Sequence, residues 1–148
     1  MKQQGNRKFW KDKAIKLHSY WIRQRDIDEN GTDVCVTCGK PIYWKEADTG
    51  HFMSRRHEAT FFDGKNSHLQ CKHCNNYGAG QQFKHGKVID QLYGDGTAEA
   101  LEIKSKQQCK RDWYDYYYIA WEFWKKLTDA GLELPPGTKT LFKDVQNG

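Results

Sequence analysis

Two pairs of cysteines constrain this chain more than any other feature of it. Cys35 and Cys38 in CVTC, and Cys71 and Cys74 in CKHC, each leave two residues between their thiols. That separation lets both sulfurs of a pair reach one ion, and two such pairs make the four-thiolate set of a structural zinc site. Gly39 follows the first pair and suits a tight knuckle, while the second pair stands where a helix can start. Disulfides and a redox-active CxxC are the competing readings. The first belongs to oxidising compartments, and the second has no use for another pair. Zinc held by four thiolates has no open position, so its expected role is to hold the fold together rather than to activate water. Cys109 is left over and is assigned no role.

A chain of 148 residues can close a modest core around such a site, with helical extensions. Its 14% aromatic content argues against disorder. No apolar run approaches the roughly 20 residues of a bilayer span, and the segment MKQQGNRKFWKDK lacks the apolar core of a signal peptide. The expected location is the cytoplasm, with no membrane partner.

Periodicity sets out the elements. Trp10, Ala14, Leu17 and Trp21 recur at steps of three or four and predict a basic amphipathic helix over about 6–24. ENGTD reads as a turn, VCVTCGKPIYW as a short hairpin, and strand material continues to Phe52. SRRHEATFFDGK is expected to be a loop that packs Phe61 and Phe62 inward, and HLQC to be a short strand. A helix is expected after Cys71, limited by Gly78, Gly80 and Gly86. KVIDQLYG reads as a separate short helix ended by Gly94, with Thr97 capping the next. Trp113, Tyr117, Ala120, Trp121, Trp124 and Leu127 predict a helix over about 110–130, and PPGTKTLFKDVQNG reads as a loose tail. The organisation expected is α+β: a basic N-terminal helix over 1–30, a zinc-bound core over 31–86, a helical part over 87–134 and the tail over 135–148.

Between the cysteine pairs lies a second constellation. His51 in TGHF, Asn66 in GKNSH and Asn75 in HCNN stand 15 and 9 residues apart. This order of strand end, loop, strand, zinc cysteines and helix resembles the HNH, or ββα-metal, nuclease finger. The resemblance implies that His51 is the general base, that Asn66 steadies the loop by hydrogen bonds, and that Asn75 ligates a divalent cation, Mg²⁺ or Mn²⁺. The chemistry suits the residue types. A neutral imidazole with a pKa near ambient can take a proton from attacking water, an amide can bond N–H and C=O groups at once, and a hard cation prefers oxygen ligands. Many such fingers carry Asp or His immediately before the base as a ligand, whereas here that position is Gly50. Asp48 is the first choice for the second ligand, brought round by a bulge or turn at Thr49 and Gly50. His68 is the runner-up, and reads equally well as a packed core histidine.

The match narrows further. DVCVTCGK, DTGHF, FFDGKNSHLQCKHCN and VIDQLYG with AEALE, spanning about residues 19–102, resemble the phage NinG recombination endonuclease family, also called Rap. The aromatic C-terminal helix has no counterpart in that resemblance, whereas the glycine before the base is normal for it. The resemblance implies a nuclease of branched recombination intermediates such as Holliday junctions and D-loops, in the host cytoplasm if phage-encoded, with recombination proteins as further partners. A net charge of +5 is compatible with a polyanion, and Arg55, Arg56, Lys65, Lys72 and Lys84 are the candidate phosphate contacts. Two symmetric nicks favour a homodimer. The tyrosine-rich segment DWYDYYYIAWEFW is a candidate interface, a stacking surface through Tyr114 and Tyr118, or simply core. Two other functions fit the residues: an HNH enzyme that nicks duplex or recombinase-associated DNA, and a noncatalytic zinc module that binds DNA.

Overall fold

The structure is a computed structural model and describes residues 3–146. Its elements in chain order are α1 (Arg7–Gln24), β1 (Thr32–Val34), β2 (Pro41–Tyr43), β3 (Asp48–His51), α2 (Glu58–Phe61), β4 (Ser67–Gln70), α3 (Lys72–Asn76), α4 (Gly78–Tyr93), α5 (Thr97–Ser105), α6 (Trp113–Asp129) and α7 (Lys143–Gln146). The strands form two separate two-stranded sheets, so the class is α+β. Among the described residues no helix is long and apolar enough to cross a membrane. The chain divides into two compact units: one holds the residues up to Trp21 and those from Arg111 onward, the other is Ile22–Lys110.

In the first unit, α1 buries Trp10, Ala14 and Leu17, while α6 buries Tyr116, Ala120, Phe123, Trp124 and Leu127. Both sets follow the helical period, but the buried face is turned from the stripe expected: Trp21, Trp113, Tyr117 and Trp121 are half-buried, and Tyr116 and Phe123 are buried with Ala120, Trp124 and Leu127. Trp10 packs edge-on to Tyr117, with ring centroids 4.7 Å apart, and the Arg7 guanidinium donates to the Arg111 carbonyl at 2.8 Å. The tail corrects the sequence reading. Despite its Pro135-Pro136-Gly137 start, Thr138 and Phe142 are 0% and 1% exposed. The Trp124 indole N–H donates to the Thr138 carbonyl at 2.9 Å, and the Phe142 ring lies 5.5 Å from that of Trp124. One aromatic side chain, worth roughly 1.5–3 kcal/mol when fully buried, outweighs the turn residues before it.

The second unit is built around short strands. β1 pairs antiparallel with β2, Asp33 opposite Ile42, and β3 pairs antiparallel with β4, Asp48 opposite Gln70 and Gly50 opposite His68. The chain enters β1 through a tight turn closed by the Gly31 N–H on the Asp28 carbonyl; Gly31 has φ +76° and a Cβ there would meet the Tyr43 ring at 2.7 Å, so only glycine fits. The Val36 N–H donates to the Leu69 carbonyl at 3.0 Å and joins the cysteine turn to β4. All four residues of β4 are buried.

Two boundaries differ from expectation. The segment over 53–65 contains the short helix α2, which buries Phe61. KVIDQLYG is the second half of α4 rather than a helix of its own, and the unit runs on through α5 to Lys110. Gly86 does not break α4 because it serves packing: a Cβ there would come within 3.0 Å of the Phe52 ring. Gly94, with φ at +112°, ends it.

Candidate functional site

The cysteine turn comes first, because everything else hangs from it. Gly39 adopts φ +75° and donates its N–H to the Cys35 carbonyl at 2.9 Å, while the Cys35 N–H donates to Lys40 at 2.9 Å. Cys71 caps α3, its sulfur accepting from the Cys74 N–H at 3.4 Å. The sulfurs of Cys35, Cys38, Cys71 and Cys74 thereby lie within 4.8 Å of one another. A tetrahedral zinc with bonds of about 2.3 Å needs sulfurs just under about 4 Å apart, and Cys38 and Cys71 stand at 4.0 Å. The set can hold a structural metal such as zinc.

The electrostatics agree. Burial opposes ionisation of Cys35, but the N–H groups of Cys38, Cys71 and Thr37 and the Thr37 hydroxyl outweigh it and hold the thiol down at about 6. The Thr37 hydroxyl also favours the Cys74 thiolate, yet burial and the sulfurs of Cys71, Cys38 and Cys35 push that thiol up to about 12. Four thiolates cannot share this space without a cation between them.

His51 ends β3, with its ring against Phe61 at a centroid distance of 4.8 Å. Burial, and then the Arg55 charge, lower its pKa to about 4, against a backbone hydrogen bond at Thr49 that favours the charged ring. The imidazole is therefore neutral near pH 7, but a weaker base than the ambient pKa expected from its residue type. Asn66, 0% exposed, holds the chain that follows His51. Its Oδ1 accepts from the Met53 N–H at 2.8 Å, its Nδ2 donates to the Met53 carbonyl at 3.1 Å, and its own carbonyl accepts from the Phe52 N–H at 2.8 Å.

Strand alternation sends Asp48 and Gly50 to one face of β3 and Thr49 and His51 to the other. On the first face, Asn75 Nδ2 donates to Asp48 Oδ2 at 3.0 Å and Lys72 Nζ lies 2.8 Å from Asp48 Oδ1. Asn75 directly follows the last cysteine, so α3 carries it to Asp48. The two expected oxygen ligands are thus brought together, with an ammonium already paired to the carboxylate. His51 stands at the other end of this four-residue strand, on the opposite face.

His68 is not available to a metal. Its Nδ1 is 2.9 Å from His85 Nε2 and its Nε2 is 2.9 Å from the Tyr93 hydroxyl, so both ring nitrogens are engaged. This cluster, which joins β4 to α4, left no motif in the sequence. Burial lowers His68 to about 3, helped by His85 and Arg25, and lowers His85 to about 4, helped by His51. Both are depressed below the unfolded value near 6.5, so their stability contribution is complete above that pH and is lost as the pH falls toward the folded values. One unit below 6.5 the loss is about 1.4 kcal/mol for each histidine. Thermal unfolding of the wild type is expected to weaken between pH 7.5 and 5.5 more than that of His85→Phe; equal slopes would show that the pair does not carry the effect.

Gln70 is a further site residue without an expected role. It is 1% exposed and donates through Nε2 to the Gly80 carbonyl at 2.8 Å and to Thr37 Oγ1 at 3.1 Å. A Cβ on Gly50 would collide with Gln70 Oε1 and come within 2.9 Å of its Cβ and Cδ, so the glycine before His51 makes room for this side chain.

Arg55, Arg56, Lys65, Lys72 and Lys84 are all exposed. Arg55 lies over the Phe61 ring at 5.6 Å, Lys65 over the Tyr93 ring at 5.8 Å, and Lys72 is paired with Asp48.

The sequence model of the family described as bacteriophage lambda NinG protein matches residues 2–130. No curated protein and no solved structure shows a significant match.

Proposed function

The chain belongs to the bacteriophage lambda NinG family, and from that premise and the geometry around β3 we propose that it is a metal-dependent HNH-type endonuclease of branched recombination intermediates. The observation that carries this reading is that Asn75, next to the last zinc cysteine, hydrogen-bonds Asp48, three residues before His51. A base and one oxygen ligand thereby share one short strand, and α3 brings the second ligand to it. The succession β3, β4, α3 around a four-cysteine site supports the ββα-metal finger.

The oxygens of Asp48 and Asn75 fit a hard cation, Mg²⁺ or Mn²⁺, which when bound would stabilise charge on the scissile phosphate and the leaving oxygen. The rest is done by the chain. His51, neutral at pH 7, takes the proton of the attacking water at a ring nitrogen. Asn66 acts through position, since its two bonds to Met53 fix the turn that presents His51. Phe61 and the backbone at Thr49 restrict the ring. Lys72 balances the Asp48 carboxylate, which would otherwise stand as an uncompensated charge beside Asn75.

A junction crowds phosphates together, and the exposed cations Arg55, Arg56, Lys65 and Lys84 can bind that shape without reading bases. Two nicks related by near two-fold symmetry call for a homodimer, for which the exposed Tyr114 and Tyr118 of α6 offer aromatic surface.

The test is a substrate panel: a four-way junction, a D-loop and the matched linear duplex, with Mg²⁺, Mn²⁺ or EDTA. Metal-dependent cutting of the branched substrates at least tenfold faster than the duplex is expected. Equal cutting of all three would keep the nuclease and remove the branched-DNA preference, and cutting undiminished by EDTA would overturn the divalent-metal chemistry.

A further inference from the structure

We propose that Gln70 is a ligand of the divalent cation, supplied by the opposite strand in place of the side chain that Gly50 lacks. This rests on the metal-dependent reading above and names a residue of that site.

The orientation of the Gln70 amide is decided by its partners. The Gly80 carbonyl can only accept, so the end 2.8 Å from it must be the NH₂ group, which also reaches Thr37 Oγ1. The oxygen is turned the other way, toward the Gly50 backbone, and it accepts no hydrogen bond from any other described residue. Here is a side chain 1% exposed whose amide nitrogen is fixed at two points and whose oxygen has an open lone pair.

The surroundings point that oxygen at a cation. Gln70 is the cross-strand partner of Asp48, and Asp48 is hydrogen-bonded to Asn75. At Gly80, a Cβ would lie 3.8 Å from Gln70 Oε1 and 3.9 Å from Asn75 Oδ1. The two amide oxygens therefore flank one small residue that has no side chain to fill the space. Gly50 and Gly80 thus both border Gln70 Oε1, and Asn75, whose Oδ1 stands beside Gly80, is itself bonded through its nitrogen to the Asp48 carboxylate. The ammonium of Lys72, 2.8 Å from Asp48 Oδ1, shows that a positive charge is accepted there. Such a donor set, hard and with one negative charge, suits Mg²⁺ or Mn²⁺ with water and phosphate oxygens in the remaining positions, and does not suit zinc. The link from Gln70 through Thr37, whose hydroxyl is 3.5 Å from Cys35 Sγ, ties this oxygen to the cysteine turn and limits its freedom.

The test measures Mn²⁺ binding to the zinc-loaded full chain by the electron paramagnetic resonance of free Mn²⁺, for wild type, Gln70→Leu and Asp48→Asn. Gln70→Leu is expected to weaken Mn²⁺ binding at least tenfold with one zinc per chain retained. Undiminished Mn²⁺ binding by Gln70→Leu, with Asp48→Asn losing it, would overturn the role of Gln70 and leave the nuclease reading standing. Absence of Mn²⁺ binding by the wild type, with cutting undiminished by EDTA, would overturn both. Because Gln70→Leu removes two buried hydrogen bonds, a fold-independent measurement accompanies it: the ¹³Cδ resonance of Gln70 in the wild type as Mg²⁺ is added. A shift that saturates with the Mg²⁺ affinity is expected, and an unmoved resonance beside shifting Asp48 and Asn75 signals would overturn the proposal.

Discussion

Cys71→Ser is expected to unfold Ile22–Lys110 as a unit, and removal of zinc by a strong chelator should do the same. The strands there are only three or four residues long and pair in twos, and isolated two-stranded sheets are marginal in water. What joins them is the cysteine cluster. Cys35 follows β1, Val36 bonds Leu69 of β4, and Cys71 and Cys74 fix the start of α3. Structural zinc contributes on the order of 10–16 kcal/mol in comparable small sites, more than a whole domain of this size normally has to spare. Hydrogen exchange with and without chelator reads the outcome directly. Loss of protection across β1 to α5 is expected; unchanged protection would show that the hydrophobic contacts of Trp44, Leu69 and Ile89 suffice alone.

The second large effect is chemical. His51→Ala is expected to lower single-turnover cleavage by about a thousandfold, within the 10²–10⁴ that a positioned general base contributes, with zinc content and DNA binding intact. The ring packs on Phe61 and is not one of the four cysteine ligands, so its loss should leave the metal site in place. Burial and Arg55 hold the imidazole down at about 4, so the free enzyme should keep its kcat/KM as the pH falls through 6.5 and lose it only further down. A break near 6.5 would place a different, unburied group in the base role.

What the sequence makes legible here is what local spacing encodes. The four cysteines, the steps from His51 to Asn66 to Asn75, and the aromatic stripe of α6 all rest on short separations or a single periodicity. Asn66 reads as a loop organiser, and both ends of its amide bond Met53. The features that were not legible depend on register and on packing between distant segments. Gln70 lies over Gly50 only because Asp48, and not its neighbour, stands opposite it across the ladder. The residue type of His68 allows it as a ligand; the residues that occupy its two nitrogens, His85 and Tyr93, lie 17 and 25 positions further along the chain. Gly86 reads as a helix breaker until the Phe52 ring is seen beside it, and the turn residues of the tail concealed the burial of Phe142.

The most direct measurement is single-turnover cleavage of a four-way junction by wild type and His51→Ala in Mg²⁺, with junction binding measured on the same zinc-loaded samples. The result predicted is cutting by the wild type, loss of cutting in the variant, and equal binding by both. A wild type that binds the junction and leaves it uncut, or a variant that cuts as fast, would contradict the assignment of His51 as the base of a nuclease.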